Sequence, residues 1–359
     1  MKPASEIRIV SLPEGDIRAE NFAVFSAALP AKLPDQSVLL RNACFGVNAG
    51  MRSRIGAAPV SASGNGAAPT KRYAGLLGVG DVPQSDAVAQ VLASTAAGFQ
   101  PGDWVVHIAP WRDHDVVAAA QLRCVEVTPQ TPPELYLTAL GHTAFTAYVG
   151  MVEVGKVNAH DTVYVSAAAG GVGSYAAQIA RLMGARVVGS AGSADKCAYL
   201  RDELKLAHAF DYRQTPVAQA LAAFAPDGLS LCYDNVGGDQ LEAAIGAMGE
   251  HGRLVLCGMV SRYGQHPPGN AQGPGNLHLF IQRRLSMQGF TVLDHENARP
   301  AFEAQMRRWL ESKEMGVHST AFDGLQALPL AFASQLQGAT TGRTLVRLGV
   351  GENNASDSA

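Results

Sequence analysis

Residues Thr162–Lys196 read TVYVSAAAGGVGSYAAQIARLMGARVVGSAGSADK. The β-branched and aromatic run Thr162–Ser166 predicts a buried strand, and the small and apolar residues that recur at helical spacing after Gly173 predict a helix that ends at Gly184. A second apolar run, Arg186–Gly189, predicts the next strand. The order of strand, glycine turn, helix and strand is typical of the unit that binds dinucleotides.

The turn of this unit has the pattern Ala168-x-Gly170-x-x-Gly173, in which an alanine replaces the first glycine of the dinucleotide fingerprint. Glycines at a helix N-terminus let backbone N–H groups approach a pyrophosphate, and the helix dipole favours its negative charge. The alternative is a tight turn that only packs the helix against the sheet. The predicted strand before the turn and the predicted helix after it favour the nucleotide.

The end of the second strand predicts which dinucleotide binds. Sites that prefer NAD place Asp or Glu about 20 residues past the turn, where it binds the ribose 2′-hydroxyl. Here Gly192 and Ser193 occupy that region, no carboxylate precedes Asp195, and Lys196 follows. A hydroxyl and an ammonium group favour a 2′-phosphate, so the sequence predicts NADP(H). The alternative is that Lys196 is merely a solvated residue of the next helix. The absence of Asp or Glu at the strand end favours NADP(H) even then.

The composition limits the classes of function. A chain of 359 residues with 47% hydrophobic and 16% charged residues predicts two folded domains. The net charge of −3 argues against nucleic acid or an anionic membrane as partner, and no apolar run approaches the ~20 residues of a transmembrane helix. The acidic N-terminus, broken by prolines, is not expected to be a signal peptide. Five scattered cysteines are typical of a reduced compartment and predict a cytoplasmic protein.

The order of predicted elements separates two regions. Short strand-like segments split by prolines predict a β-rich domain over the first 130 or so residues, and Glu134–Val154 predicts a helical region interrupted near Gly141. Strands and helices then alternate to Met259, which predicts a doubly wound parallel sheet. The Gly- and Pro-rich stretches Gly56–Thr70 and Ser261–Gly275 are predicted loops. An apolar strand at Leu285–Leu293, helices at 301–313 and 328–336 and a strand at 343–348 complete the chain.

Five stretches resemble the medium-chain dehydrogenase/reductase superfamily: Ala167–Ser174 (AAAGGVGS), Gly192–Lys196 (GSADK), Phe210–Tyr212 (FDY), Asp234–Gly238 (DNVGG) and Gly342–Val346 (GRTLV). Within that superfamily the chain is similar to the zinc-free NADP-dependent double-bond reductases, which include prostaglandin, alkenal and curcumin reductases. The resemblance implies an α/β fold with a Rossmann doubly wound parallel sheet at 134–300. It also implies a GroES-like β-rich domain at 1–133 and 301–350, with a disordered tail at 351–359.

The resemblance also implies a set of NADP(H)-binding residues. The pyrophosphate would be lined by Ala168, Gly170, Gly171, Val172 and Gly173, and the 2′-phosphate end by Gly192, Ser193, Lys196 and Tyr212. The ribose and nicotinamide side would be lined by Asn235, Cys257 and Tyr263, and Thr340 would also bind the cofactor. Cys257 as an ordinary core residue and Tyr212 as a solvated strand residue are the alternatives. Asn235, at a strand end beside two glycines, is harder to explain by packing.

Three departures from the family pattern concern the substrate more than the cofactor. The family often reads Asp-Pro-Tyr-Met-Arg where this chain has Asn48–Arg52 (NAGMR), so Gly50 replaces an active-site tyrosine. Thr340 stands where the family often has Asn. Leu140–Thr143 (LGHT) replaces a more usual Met-Pro-Gly or Gly-Ser-Gly pattern.

The spacing of potential ligands predicts no metal site. Zinc alcohol dehydrogenases of the same superfamily use Cys and His ligands and a closely spaced group of four cysteines. No two cysteines here lie closer than about 25 residues in the sequence, and His142 lacks the Glu of the zinc-binding Gly-His-Glu pattern. We therefore expect metal-independent chemistry.

Without a metal, another group must stabilise the charge that develops when hydride adds to the β carbon of an enone. A preorganised O–H donor lowers that barrier, and Tyr263 is the candidate catalytic donor, with the cofactor ribose hydroxyl as a possible second. A loop aromatic that acts only as a lid is the alternative role of Tyr263. The sequence thus predicts NADPH-dependent reduction of the carbon-carbon double bond of unsaturated ketones or aldehydes. Quinone reduction and a non-catalytic NADPH-binding protein are the alternatives.

The chain is also expected to form a homodimer. The run Leu285–Leu293 carries Leu285, Met287, Phe290, Val292 and Leu293 late in the predicted sheet. An exposed apolar edge strand of this kind pairs readily with a second copy.

Overall fold

The computed structural model describes residues 3–56, 75–263 and 273–349. Contacts divide the chain into two compact units, Met1–Leu137 with Thr320–Gln337 and Thr344–Ala359, and Thr138–Ser319 with Gly338–Arg343. The predicted tail at 351–359, most of the loop predicted at Gly56–Thr70 and residues 264–272 of the second predicted loop lie outside the described residues. Residues 301–319, which we expected in the β-rich domain, lie in the second unit.

The first unit is built mainly from strands. They are β1 (Ala4–Ile9), β2 (Phe22–Ala27), β3 (Ser37–Gly46), β4 (Gln84–Ser94), β5 (Trp104–Pro110), β6 (His114–Ala118) and β7 (Arg123–Val125), with 3-10 turns at Ala19–Asn21, Ala49–Arg54, Ala119–Gln121 and Pro133–Leu137. Buried and half-buried residues alternate through the middle of β3, which is the period of a strand with one face on a core.

The second unit alternates helices and strands. In chain order they are α1 (His142–Tyr148), which continues as a π-helix (Val149–Val154), β8 (Thr162–Val165), α2 (Gly173–Leu182), β9 (Arg186–Ala191), α3 (Ala194–Ala198), which continues as a π-helix (Tyr199–Glu203), β10 (His208–Asp211), α4 (Val217–Phe224), β11 (Leu229–Asp234), α5 (Gly238–Ala247), β12 (Met248–Leu256), a 3-10 turn (Val260–Arg262), α6 (His278–Arg283), β13 (Ser286–Gly289), a 3-10 helix (Val292–Ala298) and α7 (Arg299–Glu311). The helical region predicted at Glu134–Val154 is confirmed, with its interruption at Gly141.

The strands of the second unit form one sheet in the order β10-β9-β8-β11-β12-β13. All five neighbouring pairs are parallel. In chain order this is the 3-2-1-4-5-6 arrangement of the Rossmann fold, in which ligands bind at the carboxyl ends of the strands, where the order reverses. Here the reversal lies between β8 and β11, and the predicted doubly wound sheet is confirmed.

The C-terminal elements are β14 (Ser319–Asp323), a 3-10 turn (Leu325–Ala327), α8 (Leu328–Leu336) and β15 (Arg343–Arg347). They complete a seven-stranded sheet in the order β14-β15-β3-β4-β5-β7, with β6 paired to β3. The antiparallel pairing of β15 with β3 joins Leu345 to Gly46. Both ends of the chain therefore contribute to the β-rich unit, as the resemblance implies.

Each unit has its own apolar core. In the first, the fully buried Trp111 contacts Phe332 edge-on at 6.1 Å between ring centroids, and its indole N–H donates to Ser85 Oγ at 3.0 Å. In the second, α4 and α5 pack on the sheet through Leu221, Leu241 and Ile245, among others. Burying each such aliphatic side chain stabilises the fold by about 1.5–3 kcal/mol.

The apolar strand predicted at Leu285–Leu293 is wrong over its second half. β13 ends at Gly289, and a 3-10 helix begins at Val292, whose side chain is buried. The Phe290 ring contacts His295 edge-on, so the chain after Gly289 folds back on itself. A short apolar run does not by itself distinguish a strand from a buried helical turn, which is why the sequence reading extended the strand.

Candidate functional site

The glycine loop after β8 has a backbone that only glycine permits at one position. A Cβ on Gly173 would lie 2.2 Å from the carbonyl oxygen of Ala167, far inside van der Waals contact. Ala167 has a left-handed backbone, with φ of 48°, and the N–H of Ala168 donates to Ser190 O at 2.9 Å. The turn is therefore fixed by backbone contacts, both within itself and to β9.

Helix α2 begins at Gly173, directly after this turn. Ser174 N–H donates to Gly170 O at 2.9 Å, and Ala176 N–H donates to Val172 O at 3.0 Å. The first N–H groups of a helix have no partner within it, and the helix dipole gives that end a partial positive charge. Gly170 N–H already donates to Ala167 O at 3.0 Å, so the backbone donors that this turn can offer to an anion at the carboxyl edge of the sheet are those of Gly171–Gly173.

A second cluster of sequence-predicted residues forms where β9 ends. Ser193 caps α3, and its Oγ accepts a hydrogen bond from Lys196 N–H at 3.3 Å. Lys196 Nζ donates to Gly338 O at 2.7 Å, which holds the ammonium group toward a segment 142 residues later in the chain. Burial, and then the neighbouring charge of Arg213, lowers the pKa of Lys196.

Tyr212 joins this cluster from the end of β10. Its N–H donates to Ala191 O at 3.0 Å, and a Cβ built on Gly192 would lie 3.1 Å from the Tyr212 hydroxyl oxygen. The same Cβ would lie 3.3 Å from Nε of Arg213, a residue that sequence reasoning missed. The one signal in the sequence for Arg213 is that it directly follows the family-like stretch Phe210–Tyr212.

A buried hub connects the ends of β8 and β11. Ser166 Oγ donates to Asp234 Oδ1 at 2.8 Å and accepts from Asn235 N–H at 2.8 Å, while Asn235 Nδ2 donates to Ser166 O at 2.8 Å. Burial raises the pKa of Asp234, opposed by Ser166 and by N–H groups of the following turn. This hub fixes Asn235 at the switch point of the sheet, and sequence reasoning gave no role to Ser166 or Asp234.

Cys257 lies directly after β12, and its N–H donates to Asp234 O at 2.9 Å. Burial raises the pKa of the Cys257 thiol to about 11, although a hydrogen bond with the Tyr233 hydroxyl opposes the shift. The group is therefore a neutral thiol near pH 7 and a poor nucleophile. Its side chain contributes packing and a hydrogen bond.

Tyr263 ends the 3-10 turn that follows β12. Its hydroxyl accepts a long hydrogen bond from Met259 N–H, at 3.5 Å, and lies 3.4 Å from the position of a Cβ on Gly258. Gly258 N–H in turn donates to Asp234 O at 3.2 Å. The Tyr263 hydroxyl is thus located beside the neighbouring ends of β11 and β12, which Asn235 and Cys257 follow.

Thr340 lies in the return segment, which we define as Gly338–Arg343. Its first residue accepts from Lys196, and near its other end Gly342 N–H donates to Ala169 O at 2.8 Å. Gly342 has φ of 67°, and a Cβ there would lie 2.2 Å from His318 O. The buried Thr340 therefore lies in the chain between Gly338, which binds Lys196, and Gly342, which binds the glycine loop.

The structure brings the predicted cofactor residues of the second unit to the carboxyl edge of its sheet or to the return segment. Gly50 is in the first unit, in the turn Ala49–Arg54, where a Cβ would meet no atom of the described residues within 4 Å. Within residues 3–56, 75–263 and 273–349, no group of three or more His, Cys, Asp or Glu is placed to hold a metal ion. None of the helices in these ranges is long and apolar enough to cross a membrane.

Comparison with known proteins identifies the family. Residues 5–125 match the model of the N-terminal domain of oxidoreductase, and residues 171–311 match that of the zinc-binding dehydrogenase. The chain is 30% identical over 345 residues to the NADPH-dependent curcumin reductase of Escherichia coli, covering 95% of each chain. This chain belongs to the medium-chain dehydrogenase/reductase superfamily. Within that superfamily it belongs to the zinc-free NADP-dependent double-bond reductases.

Two further proteins illustrate this placement among the double-bond reductases. The 2-alkenal reductase (NADP(+)-dependent) of Nicotiana tabacum is 32% identical over 260 residues, which cover 72% of this chain and 75% of that protein. The structure of CurA in complex with NADPH from Vibrio vulnificus superposes with a TM-score of 0.87 at 29% identity, covering 97% of this chain and all of that one. The likeness to CurA therefore extends over nearly the whole chain, and the likeness to the 2-alkenal reductase over 72% of it.

Proposed function

We propose that this enzyme reduces the carbon-carbon double bond of α,β-unsaturated ketones or aldehydes with NADPH. The chain is an NADP-dependent oxidoreductase. The observation that carries the substrate class is the match over 95% of the chain to a protein named as an NADPH-dependent curcumin reductase. Curcumin and 2-alkenals share a carbonyl conjugated to a carbon-carbon double bond, so an activated alkene is the chemistry that these relatives have in common.

The residues of the second unit fit the cofactor. Gly170–Gly173 and the N-terminus of α2 would hold the pyrophosphate, because backbone N–H groups and the helix dipole favour an anion there. The turn also leaves no room for a side chain at Gly173. Lys196 and Tyr212 would hold the 2′-phosphate, with Gly192 and Ser193 beside them. Asn235 and Thr340 would contact the ribose and nicotinamide end. When bound, NADPH supplies the hydride.

The protein's own groups would stabilise the charge that develops on the substrate. We propose that the Tyr263 hydroxyl donates a hydrogen bond to the carbonyl oxygen of the substrate, where negative charge accumulates after hydride addition at the β carbon. The α carbon is then protonated, from Tyr263 or from solvent. The neutral Cys257 thiol adds no charge to this place.

The breadth of substrate follows from Gly50. Relatives often carry a tyrosine at this place, and its absence removes an aromatic ring and a hydroxyl. We therefore propose that bulky or aromatic enones are accepted and that donation depends on Tyr263. Among the described residues, no atom lies within 4 Å of a Cβ built on Gly50, so a side chain restored there meets no clash with them at its Cβ.

We further propose a cytoplasmic homodimer. β13 is the last strand of its sheet, and Met287 on it, with Ile281 on α6 and Leu293 after it, is exposed. Exposed edge strands pair readily with a second copy. All five cysteines are free thiols, as in a reducing compartment. Sedimentation at micromolar concentration should give a dimer, and a strict monomer would count against this assembly.

A steady-state panel tests the activity. With NADPH, enones and enals should be reduced at the double bond, as product analysis by mass spectrometry and NMR would show, and larger aromatic enones should remain substrates. Quinones and saturated ketones serve as comparison substrates. Turnover of quinones alone, or NADPH binding without turnover of any acceptor, would contradict the proposal.

A further inference from the structure

A second cation lies beside the predicted 2′-phosphate site. The side chain of Arg213 reaches the end of β9, where its Nε is 3.3 Å from the position of a Cβ on Gly192. On its other side, Nη2 is 3.9 Å from the position of a Cβ on Gly338, the residue whose carbonyl binds Lys196. The guanidinium therefore lies between the end of β9 and the return segment, as the Lys196 ammonium does.

The charges at this place are unbalanced. Among the described residues no carboxylate forms an ion pair with Arg213 or Lys196, and Asp211, two residues before Arg213, accepts the Arg213 backbone N–H at 2.9 Å. The two cations are close enough that the Arg213 charge, after burial, lowers the pKa of Lys196. Like charges held together disfavour their own charged forms, and an anion placed between them removes that repulsion.

Arg213 is exposed, and an exposed arginine is ordinarily a solvated side chain. A stacking role alone does not explain its position either, because Arg213 Cζ is 5.9 Å from the centroid of the adjacent Tyr212 ring, at the limit of a cation–π contact. A guanidinium presents a planar fork of donors that matches phosphate oxygens, whereas an ammonium acts as a point charge. Beside Lys196 and the Tyr212 hydroxyl, that fork completes a site for a dianionic phosphate.

We propose that Arg213 is a specificity-determining residue that binds the 2′-phosphate of NADP(H) jointly with Lys196. The division of labour follows from the contacts. Lys196 already donates to the Gly338 carbonyl, so it also anchors the return segment, whereas the Arg213 guanidinium has no ion pair among the described residues and can turn its donors toward the phosphate. This inference rests on NADP(H) being the cofactor of the proposed function, and it adds a residue that selects NADP(H) over NAD(H).

The test measures binding, not turnover. NADPH, NADH, 2′,5′-ADP and 5′-AMP are titrated by calorimetry into the full-length protein, Arg213→Gln, Lys196→Gln and the double variant. Arg213→Gln should weaken NADPH and 2′,5′-ADP by about ten- to a hundredfold, the range for one lost charged hydrogen bond, and leave NADH and 5′-AMP unchanged. The double variant should bind NADPH and NADH about equally. Arg213→Lys, which keeps the charge without the fork, should fall between.

Arg186→Gln is the matched control. It removes the same charge from the same sheet, but Arg186 begins β9 at the opposite end of the strand, where it contacts His208. An Arg213→Gln protein that binds NADPH as tightly as the unmodified one overturns the inference, as does equal weakening of NADPH and NADH or an equal effect of the control. If no enone is reduced while these binding differences hold, the proposed substrate class fails and the role of Arg213 stands.

Discussion

The two ends of the predicted dinucleotide site are built in different ways. At the proposed pyrophosphate end the binding groups would be backbone N–H donors, whose positions are set by a turn that has no space for a Cβ at Gly173. At the 2′-phosphate end the binding groups are side chains, and Arg213 and Tyr212 are exposed. In the proposed assignment, the first end would bind what all dinucleotides share, and the second would bind the phosphate that distinguishes NADP from NAD. Affinity and choice of cofactor are thus assigned to separate structures.

The largest expected effect on cofactor binding comes from Gly173→Ala. The added methyl group would overlap Ala167 O, and the loop must shift to accommodate it. Overpacking costs on the order of 1–3 kcal/mol, and the donors also lose their alignment, so binding of both NADPH and NADH should fall by roughly a hundredfold. Calorimetric titration measures both affinities. Loss of NADPH binding alone would show that the two ends are not separate.

Gly171→Ala is the matched control for that substitution. A Cβ on Gly171 would lie 3.6 Å from Arg343 Cδ, which is ordinary contact distance. Because Gly171 itself lines the proposed pyrophosphate site, the two variants are compared by their thermal unfolding temperature, which Gly171→Ala should retain and Gly173→Ala should lower. Equal falls in that temperature in the two variants would mean that glycine content in general, and not the clash with Ala167, matters.

Tyr263→Phe should change turnover and leave both ends of the cofactor site intact. The substitution keeps the ring and removes the hydroxyl, so a donor role predicts a fall in kcat of about ten- to a thousandfold with nearly unchanged NADPH affinity. Steady-state and binding measurements separate the two quantities. An unchanged kcat would mean that Tyr263 acts only as a lid. In that case a gain in rate for Gly50→Tyr would show that this chain lost a donor that relatives retain.

Lys196→Ala should weaken NADPH by roughly ten- to a hundredfold and leave NADH almost unaffected, because a single charged hydrogen bond is worth about 1.5–3 kcal/mol. Titration of both cofactors checks this ratio. Since Lys196 also holds Gly338, a modest fall in the thermal unfolding temperature should accompany the change. Equal affinity of the unmodified protein for both cofactors would contradict the assignment of selectivity to this end.

Removal of metal should have the smallest effect. Dialysis against a strong chelator should leave enone reduction unchanged, because the charge that forms on the substrate is assigned to a hydroxyl donor. Elemental analysis before and after dialysis is the control. Stoichiometric zinc, with activity lost when it is removed, would overturn the metal-independent chemistry.

The sequence predicts the pyrophosphate end better than the other for a physical reason. The glycine turn is local, since Ala167 and Gly173 are six residues apart and the clash between them follows from backbone sterics. The hub of Ser166 and Asp234 joins residues 68 positions apart, and Lys196 meets Gly338 across 142. Contacts of that separation depend on how the strands are ordered, which no local pattern encodes. Arg213 was missed because an arginine at a strand end is locally indistinguishable from a solvated one.

Because of the return segment, the proposed nucleotide site is built from two separate stretches of the sequence. A graft of residues 138–319 into another scaffold would carry the glycine loop, Lys196 and Arg213. It would leave behind the Gly338 carbonyl and the Gly342 amide, which hold Lys196 and Ala169. Residues 138–319 therefore cannot be transferred to another protein as a complete nucleotide-binding unit. Recombination that exchanges only this contiguous part would separate the proposed site from the return segment.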